Sequence, residues 1–207
     1  NDNAPYQKIR TVRSRFMTEI GFQSFPSVKT IAQFALERDH KPDSPIMYAH
    51  QKCKNGNEAI EEYMERDYLV PNNFADYVYL SQLQAAEIMR YTTEHFRRDS
   101  DYNRGMILWQ FNDCWPVVSW SGVDYYGRWK ALQYFIKRFY APLCISAKDD
   151  GISVELWCGN ESRNDKNGIV YWQLFDGPDL IDAGSMVVKL AAGKSDLAIT
   201  QDYEDKL

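Results

Sequence analysis

The stretch "GMILWQFNDCWPVVSWSGVDYYGRWKALQYF", residues 105–135, gathers Trp109, Trp115 and Trp120 at and beyond an apolar run, with the polar residues Asn112, Asp113 and Asp124. "GMILWQF" reads as a strand buried on both faces, of the kind found in parallel sheets covered by helices. Beyond it, Trp129, Leu132, Ile136 and Phe139 return at helical spacing, so the strand leads into a helix. Polar and aromatic side chains gathered just past the carboxyl end of a buried strand lie where parallel α/β folds build active sites. A flat indole can stack on the C–H face of a sugar ring while amides and carboxylates bind its hydroxyls. The pattern suits carbohydrate.

Upstream, "RFMTEIGFQSFPS", residues 15–27, predicts a short strand within residues 10–20 that carries Glu19, then a helix start at Pro26-Ser27 with Ser27 as N-cap. Val28, Ile31 and Ala35 follow at helical spacing. Residues 40–57 hold two prolines and a glycine and read as a loop with room for a short strand. Ile60, Tyr63, Met64 and Tyr68 mark an amphipathic helix ending near Pro71, and residues from Phe74 to Phe96 mark a long one. The order strand, helices, strand, helix belongs to the α/β class.

The grammar changes after Pro142. "CISAK", "ISVELWC", "IVYWQLF" and "SMVVKL" are short strand candidates separated by "DDG", "NESRNDKNG" and "DGPD". The expected division is 1–141 and 142–207, with four strands forming an incomplete β-sandwich.

Composition narrows the function. The 24 basic and 29 acidic residues leave a net charge of -5, without the basic excess that favours nucleic acid or anionic membrane. No apolar run is long enough for a spanning helix. Cys53, Cys114, Cys144 and Cys158 form no CxxC pair, so neither a zinc site nor a disulfide framework is indicated, and buried free thiols are expected. No metal and no cofactor is implied.

Four blocks in order, "RFMTEIGFQSFPS", "HQK", "YLSQLQAAEIMR" and "GMILWQFNDCWPVVSWSGVDYYGRWKALQYFIKRFYAPL", resemble the β-mannosidases of glycoside hydrolase family two. The resemblance is dense from about residue 10 to residue 143. It implies α/β plus β: residues 1–141 as the last strands and helices of a partial (β/α)8 TIM barrel, and residues 142–207 as the start of an immunoglobulin-like β-sandwich. It also implies that Glu19 is the catalytic nucleophile and that Trp109 lines the subsite of the cleaved mannose. Its acid/base carboxyl, an Asn-Glu pair in the family, is expected upstream of residue 1. "GNE" at 56–58 and at 159–161 matches that pair in letters only, so Glu58 and Glu161 are not expected to be catalytic.

The remaining site candidates are Asn112 and Asp113, which can bind substrate or cap a turn; His50, which can face the cleft or be structural; and Trp115 and Trp120, with Asp124, around the site. The implied partners are a β-mannoside oligosaccharide and the preceding part of the same polypeptide, and exposed sheet edges would favour self-association. The chain alone would then be inactive. Two other readings stay open, an exo-β-glucosaminidase and a non-catalytic carbohydrate-binding module. For localisation the resemblance implies only a periplasmic or secreted protein if bacterial and a lysosomal one if animal.

Overall fold

In the computed structural model, which describes residues 4–205, the chain forms two compact units. Of the described residues, one unit holds those up to Thr93 together with Gly105–Phe139; the other holds Glu94–Arg104 and those from Tyr140 onward.

The first unit is built on two parallel strands, β1 (Met17–Ile20) and β2 (Met106–Leu108), in the register Met17 to Met106 and Ile20 to Leu108. Both are shorter than the sequence pattern predicts. Tyr6–Thr11 is a 3-10 turn instead of extended chain, closed where the Thr11 hydroxyl donates to the Lys8 carbonyl at 2.8 Å.

Helix α1 (Val28–Ile31) is a single turn, capped by Ser27, whose hydroxyl accepts from the Thr30 amide. The chain turns away before Ala35, so the longer spacing read from the sequence is not one helix. The expected loop at 40–57 contains helix α2 (Pro45–Ala49) in place of a strand. Its start signal is local: Ser44 caps the Met47 amide, and Pro45 occupies the first turn, where a missing N–H costs nothing. Helices α3 (Gly56–Asp67), α4 (Phe74–Arg98) and α5 (Ala131–Phe139) follow the apolar periodicity closely.

Two apolar clusters hold this unit. Phe25, Ile31, Met47, Ile60, Met64, Tyr77, Val78 and Val118 form one, and Ala86, Met89, Leu132 and Phe139 form the other. The second cluster also takes in Ile20, Met106 and Leu108 from the two strands. Because side chains alternate along a strand, the opposite face belongs to Glu19, Ile107 and Trp109. Those three are exposed, with Ile107 at 53% and Trp109 at 45%. The expectation of a strand buried on both faces is therefore corrected: β2 is covered by helices on one side only among the described residues.

The second unit has five strands where the sequence pattern showed four: β3 (Leu143–Asp149), β4 (Ser153–Asn160), β5 (Lys166–Asp176), β6 (Asp179–Leu190) and β7 (Lys194–Asp202). The overlooked β7 carries only a brief apolar run, Leu197 to Ile199, and its place comes from pairing with β4. Strands β3, β4 and β7 form one antiparallel sheet in that order, and β5 with β6 a long hairpin. Cys158, Val170 and Val188 join sheet and hairpin in one apolar cluster with Leu156, Trp172, Leu190 and Ala198. The last turn of α4 belongs here: Arg97 donates to the Ala141 carbonyl and pairs with Glu161 at 3.0 Å, and Arg98 donates to the Ser146 hydroxyl. The cysteines are free, but only Cys158 is buried and Cys144 half-buried; Cys53 and Cys114 are exposed, against expectation.

Asn160 opens an N-x-S sequence, yet it is fully buried. Its Nδ2 donates to the carbonyls of Asn164 and Leu190, and its Oδ1 accepts from the Ser162 amide and hydroxyl. The nitrogen that a glycan would occupy is thus spent on closing the β4–β5 turn. Asn160→Ala takes the acceptor from the Ser162 amide and one donor each from the Asn164 and Leu190 carbonyls, and lowers stability by about 2 kcal/mol; the shift of the urea midpoint measures it.

Candidate active site

The carboxyl ends of β1 and β2 are tied together. The Trp109 amide donates to the Ile20 carbonyl at 2.8 Å, at the strands' last shared pair. Gly21 follows immediately, and a Cβ there would stand 1.8 Å from the Trp109 carbonyl oxygen, so only glycine lets the two chains approach this closely. Glu19 and Trp109 consequently share the solvent-facing side of the strand pair, at its carboxyl end.

Beyond Trp109 the chain makes a compact polar turn. The Gln110 amide donates to the Trp120 carbonyl, and the Gly122 amide returns a bond to the Gln110 carbonyl. Asp113 is 5% exposed, and its carboxylate accepts from the hydroxyls of Ser119 (3.0 Å) and Ser121 (2.6 Å) and from Gln110 Nε2 (3.1 Å). Its oxygens are committed to holding the turn. Asn112 is exposed at the same turn and its carbonyl accepts from Gln110 Nε2 at 2.8 Å.

His50 lies between two aromatic rings. Phe34 stacks on it at 3.9 Å with planes 9° apart, and Trp115 lies on it at 5.1 Å and 30°. Its Nδ1 is 2.7 Å from the Pro116 carbonyl, which can only accept, so Nδ1 carries the proton and Nε2 is the acceptor in the neutral ring. The Val118 amide donates to the His50 carbonyl, which ties this segment to the turn that carries Trp115. Trp115 and Trp120 are both half-buried.

Asp124 is buried and serves a second turn. Its carboxylate accepts from the amides of Tyr126 and Arg128 and from the Thr30 hydroxyl. Gly127, at a φ of 78°, provides the left-handed step that the turn requires.

Sequence reasoning missed the group beneath all of this, Lys130. It is fully buried, and its ammonium donates to the Ser24 carbonyl (3.1 Å), the Ser24 hydroxyl (3.2 Å) and the Ser119 carbonyl (3.1 Å). Burial pulls its pKa down to about 8, against the opposing pull of the Asp113 and Asp124 carboxylates. The available signal was a lysine directly before the apolar face of α5, at a position the helical spacing left unassigned. Also missed was a chain of amides: Gln23 Nε2 donates to Gln51 Oε1, and Gln51 Nε2 to Asn57 Oδ1.

An open cavity of about 1250 Å³ lies elsewhere in this unit, lined by Tyr6, Ile9, Phe22, Tyr63, Ile88 and Met89 among others. Of the predicted site residues only Trp120 reaches it, so the cavity does not coincide with the Glu19 face. Glu58 is exposed and accepts from the Tyr48 hydroxyl, and Glu161 pairs with Arg97 in the second unit. Among the described residues no group of His, Cys, Asp or Glu is placed to hold a metal ion, and no helix is long and apolar enough to cross a membrane.

No family model matches the chain. Among curated proteins, the β-mannosidase of Capra hircus is 35% identical over 144 residues, 63% of this chain and 16% of that protein. The β-mannosidase B of Aspergillus terreus is 30% identical over 182 residues, 80% of this chain and 22% of that protein. Among solved structures, a β-D-mannosidase from Dictyoglomus thermophilum matches with a TM-score of 0.89 at 27% identity, over 98% of this chain and 25% of that one. An exo-chitosanase from Amycolatopsis orientalis shares the fold, with a TM-score of 0.74 at 19% identity over 86% of this chain and 22% of that one. The chain thus spans between 16% and 25% of the length of these relatives.

Proposed function

Since the chain is of the β-mannosidase type over the segment it covers, we propose that it supplies the nucleophile side of a retaining exo-β-mannosidase, with Glu19 as the attacking carboxylate. The observation that carries this reading is the placing of Glu19 and Trp109 on one solvent-facing side of a parallel strand pair, at its carboxyl end, where barrel enzymes carry their chemistry. In this reading the first unit is the last portion of a (β/α)8 barrel, and the five strands of the second begin a β-sandwich.

A Glu19 oxygen attacks C1 of a terminal β-linked mannose. The bond from C1 to the glycosidic oxygen breaks, and that oxygen takes a proton from a second carboxyl group. Water then attacks C1 of the glycosyl ester, gives its proton to the same second carboxyl, and frees Glu19 with net retention. The two carboxyl groups need to lie roughly 5 to 5.5 Å apart. Neither Glu58 nor Glu161 fits, one bonded to Tyr48 and the other paired in the second unit. In this reading the second carboxyl is the glutamate of the Asn-Glu pair that the resemblance to the β-mannosidases of glycoside hydrolase family two implies ahead of the nucleophile. Trp109 offers its indole to the sugar face, and Asp113, with its oxygens engaged, positions the turn instead of touching substrate. In this reading half-buried His50 offers Nε2, and exposed Asn112 its side chain, to hydroxyls of the sugar.

The rival substrate, β-glucosaminide, rests on a shared fold at 19% identity, whereas the mannoside rests on 30–35% sequence identity. The full-length polypeptide carrying this segment is expected to hydrolyse p-nitrophenyl β-mannoside with retention and to leave the β-glucosaminide largely intact, while the 207-residue chain alone turns over neither. Preference for the glucosaminide would overturn the mannosidase assignment, and turnover by the chain alone would overturn the missing-carboxyl claim.

A further inference from the structure

Gln110 was not singled out by the sequence pattern, yet its amide is fixed in one orientation. Nε2 donates to the Asn112 carbonyl at 2.8 Å and to the Asp113 carboxylate at 3.1 Å. A backbone carbonyl and an ionised carboxylate can only accept, so both amide hydrogens are spent and the two ends of the side chain cannot be exchanged. Asp113 cannot swing away, because Ser119 and Ser121, both fully buried, hold its other oxygen. The backbone on either side of the Gln110 side chain is pinned as well, to Trp120 and Gly122. What remains is Oε1: it has no hydrogen-bond partner among the described residues, on a half-buried side chain directly after the exposed Trp109.

We propose that Gln110 is a specificity-determining residue, whose locked Oε1 accepts a hydrogen bond from one hydroxyl of the sugar that stacks on Trp109. This rests on the β-mannosidase reading and deepens it. The chemistry asks for a hydrogen-bond donor, which a sugar hydroxyl supplies. Oε1 is a neutral acceptor that cannot donate, so it pairs with O–H and discriminates against a sugar that lacks it. Preorganisation is the benefit of the brace: a free glutamine would lose rotamer entropy on binding, whereas this one is already ordered by its neighbours.

The test uses the full-length polypeptide and aryl β-mannosides that each lack one hydroxyl. In Gln110→Met, which keeps the side-chain volume, kcat/KM on the complete mannoside falls by about 10- to 100-fold, as for one lost hydrogen bond in a partly desolvated site. One deoxy analogue shows a comparable loss with the wild type and no further loss with the Met variant, the coupling expected of two groups in contact. Gln110→Glu would set a second carboxylate against the Asp113 carboxylate, so its loss reports that repulsion and the Met variant carries the test. Equal losses of the Met variant on every analogue would make Gln110 a packing residue only and overturn the proposal, as would unchanged kinetics. Melting temperatures of both variants track folding. Glu19→Ala is assayed beside them: if it too keeps full activity, the mannosidase reading itself fails, a result separable from failure at Gln110 alone.

Discussion

Glu19→Ala in the full-length polypeptide lowers kcat on an aryl β-mannoside by roughly 10³- to 10⁵-fold, the range expected when a covalent nucleophile is removed while binding groups remain. The fold survives, because Glu19 is exposed and the strand's packing comes from Ile20, Met106 and Leu108 on the opposite side. KM changes far less than kcat, since Trp109 and the polar turn are untouched. Truncation of the side chain to a methyl group leaves room beside C1, so a small external nucleophile such as azide restores turnover and yields a product of inverted configuration. Wild-type kcat in a folded variant would reduce Glu19 to an ordinary solvated charge at a strand end.

The second large effect concerns Lys130 and appears as a pH slope. Its pKa falls from an ordinary 10.5 in the unfolded chain to about 8 in the folded one, chiefly by burial. Below pH 8 both states hold the proton, and the folded protein bears the whole cost of a buried cation. As pH rises from 8 to 10.5 the folded state releases the proton while the unfolded state still binds it, so stability rises with pH across that window. The gain is about 3 kcal/mol, at roughly 1.36 kcal/mol per pKa unit. Lys130→Met removes it. The difference in unfolding free energy between wild type and Lys130→Met, measured by urea denaturation from about pH 7 to about pH 10.5, therefore grows in favour of the wild type by that amount. Other groups titrating in the window cancel in the difference. A flat difference would show that Lys130 keeps an ordinary pKa in the fold.

The lysine is nonetheless the donor that joins Ser24, just after β1, to Ser119, in the turn after β2. The antiparallel bridge between the same two serines runs beside it, with the Ser24 amide donating to the Ser119 carbonyl at 2.9 Å. A buried ammonium here spreads its three hydrogens over oxygens of both segments, which already exchange backbone hydrogen bonds. It holds together the two segments that frame the Glu19 and Trp109 face.

Much of the fold was legible because its signals are local. The helical spacing of Ile60, Tyr63 and Met64, of the residues from Phe74 to Phe96, and of Leu132, Ile136 and Phe139 marks α3, α4 and α5, and the cap at Ser27 is where the sequence puts it. Where local signals conflicted, reading failed. Ser44-Pro45 starts a helix, but two prolines nearby made the segment look like a loop. "GMILWQF" is apolar almost throughout, and composition cannot tell burial on two faces from burial on one; Ile107, Trp109 and Phe111 are exposed. Strand β7 has few apolar residues of its own and is extended because β4 offers it an edge.

By itself, then, the sequence determined the helices, the turn residues and the order of the elements, since periodicity, capping and backbone preference act over a few residues. It also marked the β-mannosidase type through four blocks in order. The tertiary structure alone decided which polar groups meet. The Asp113 carboxylate could have faced a sugar or a turn, and Ser119, Ser121 and Gln110 close around it. Lys130 reaches back across 106 residues to Ser24, a bond that exists only because a buried charge must find oxygen wherever the fold brings it. Short-range patterns carry no record of such partners, because hydrogen bonds between distant segments depend on where packing has already placed both chains.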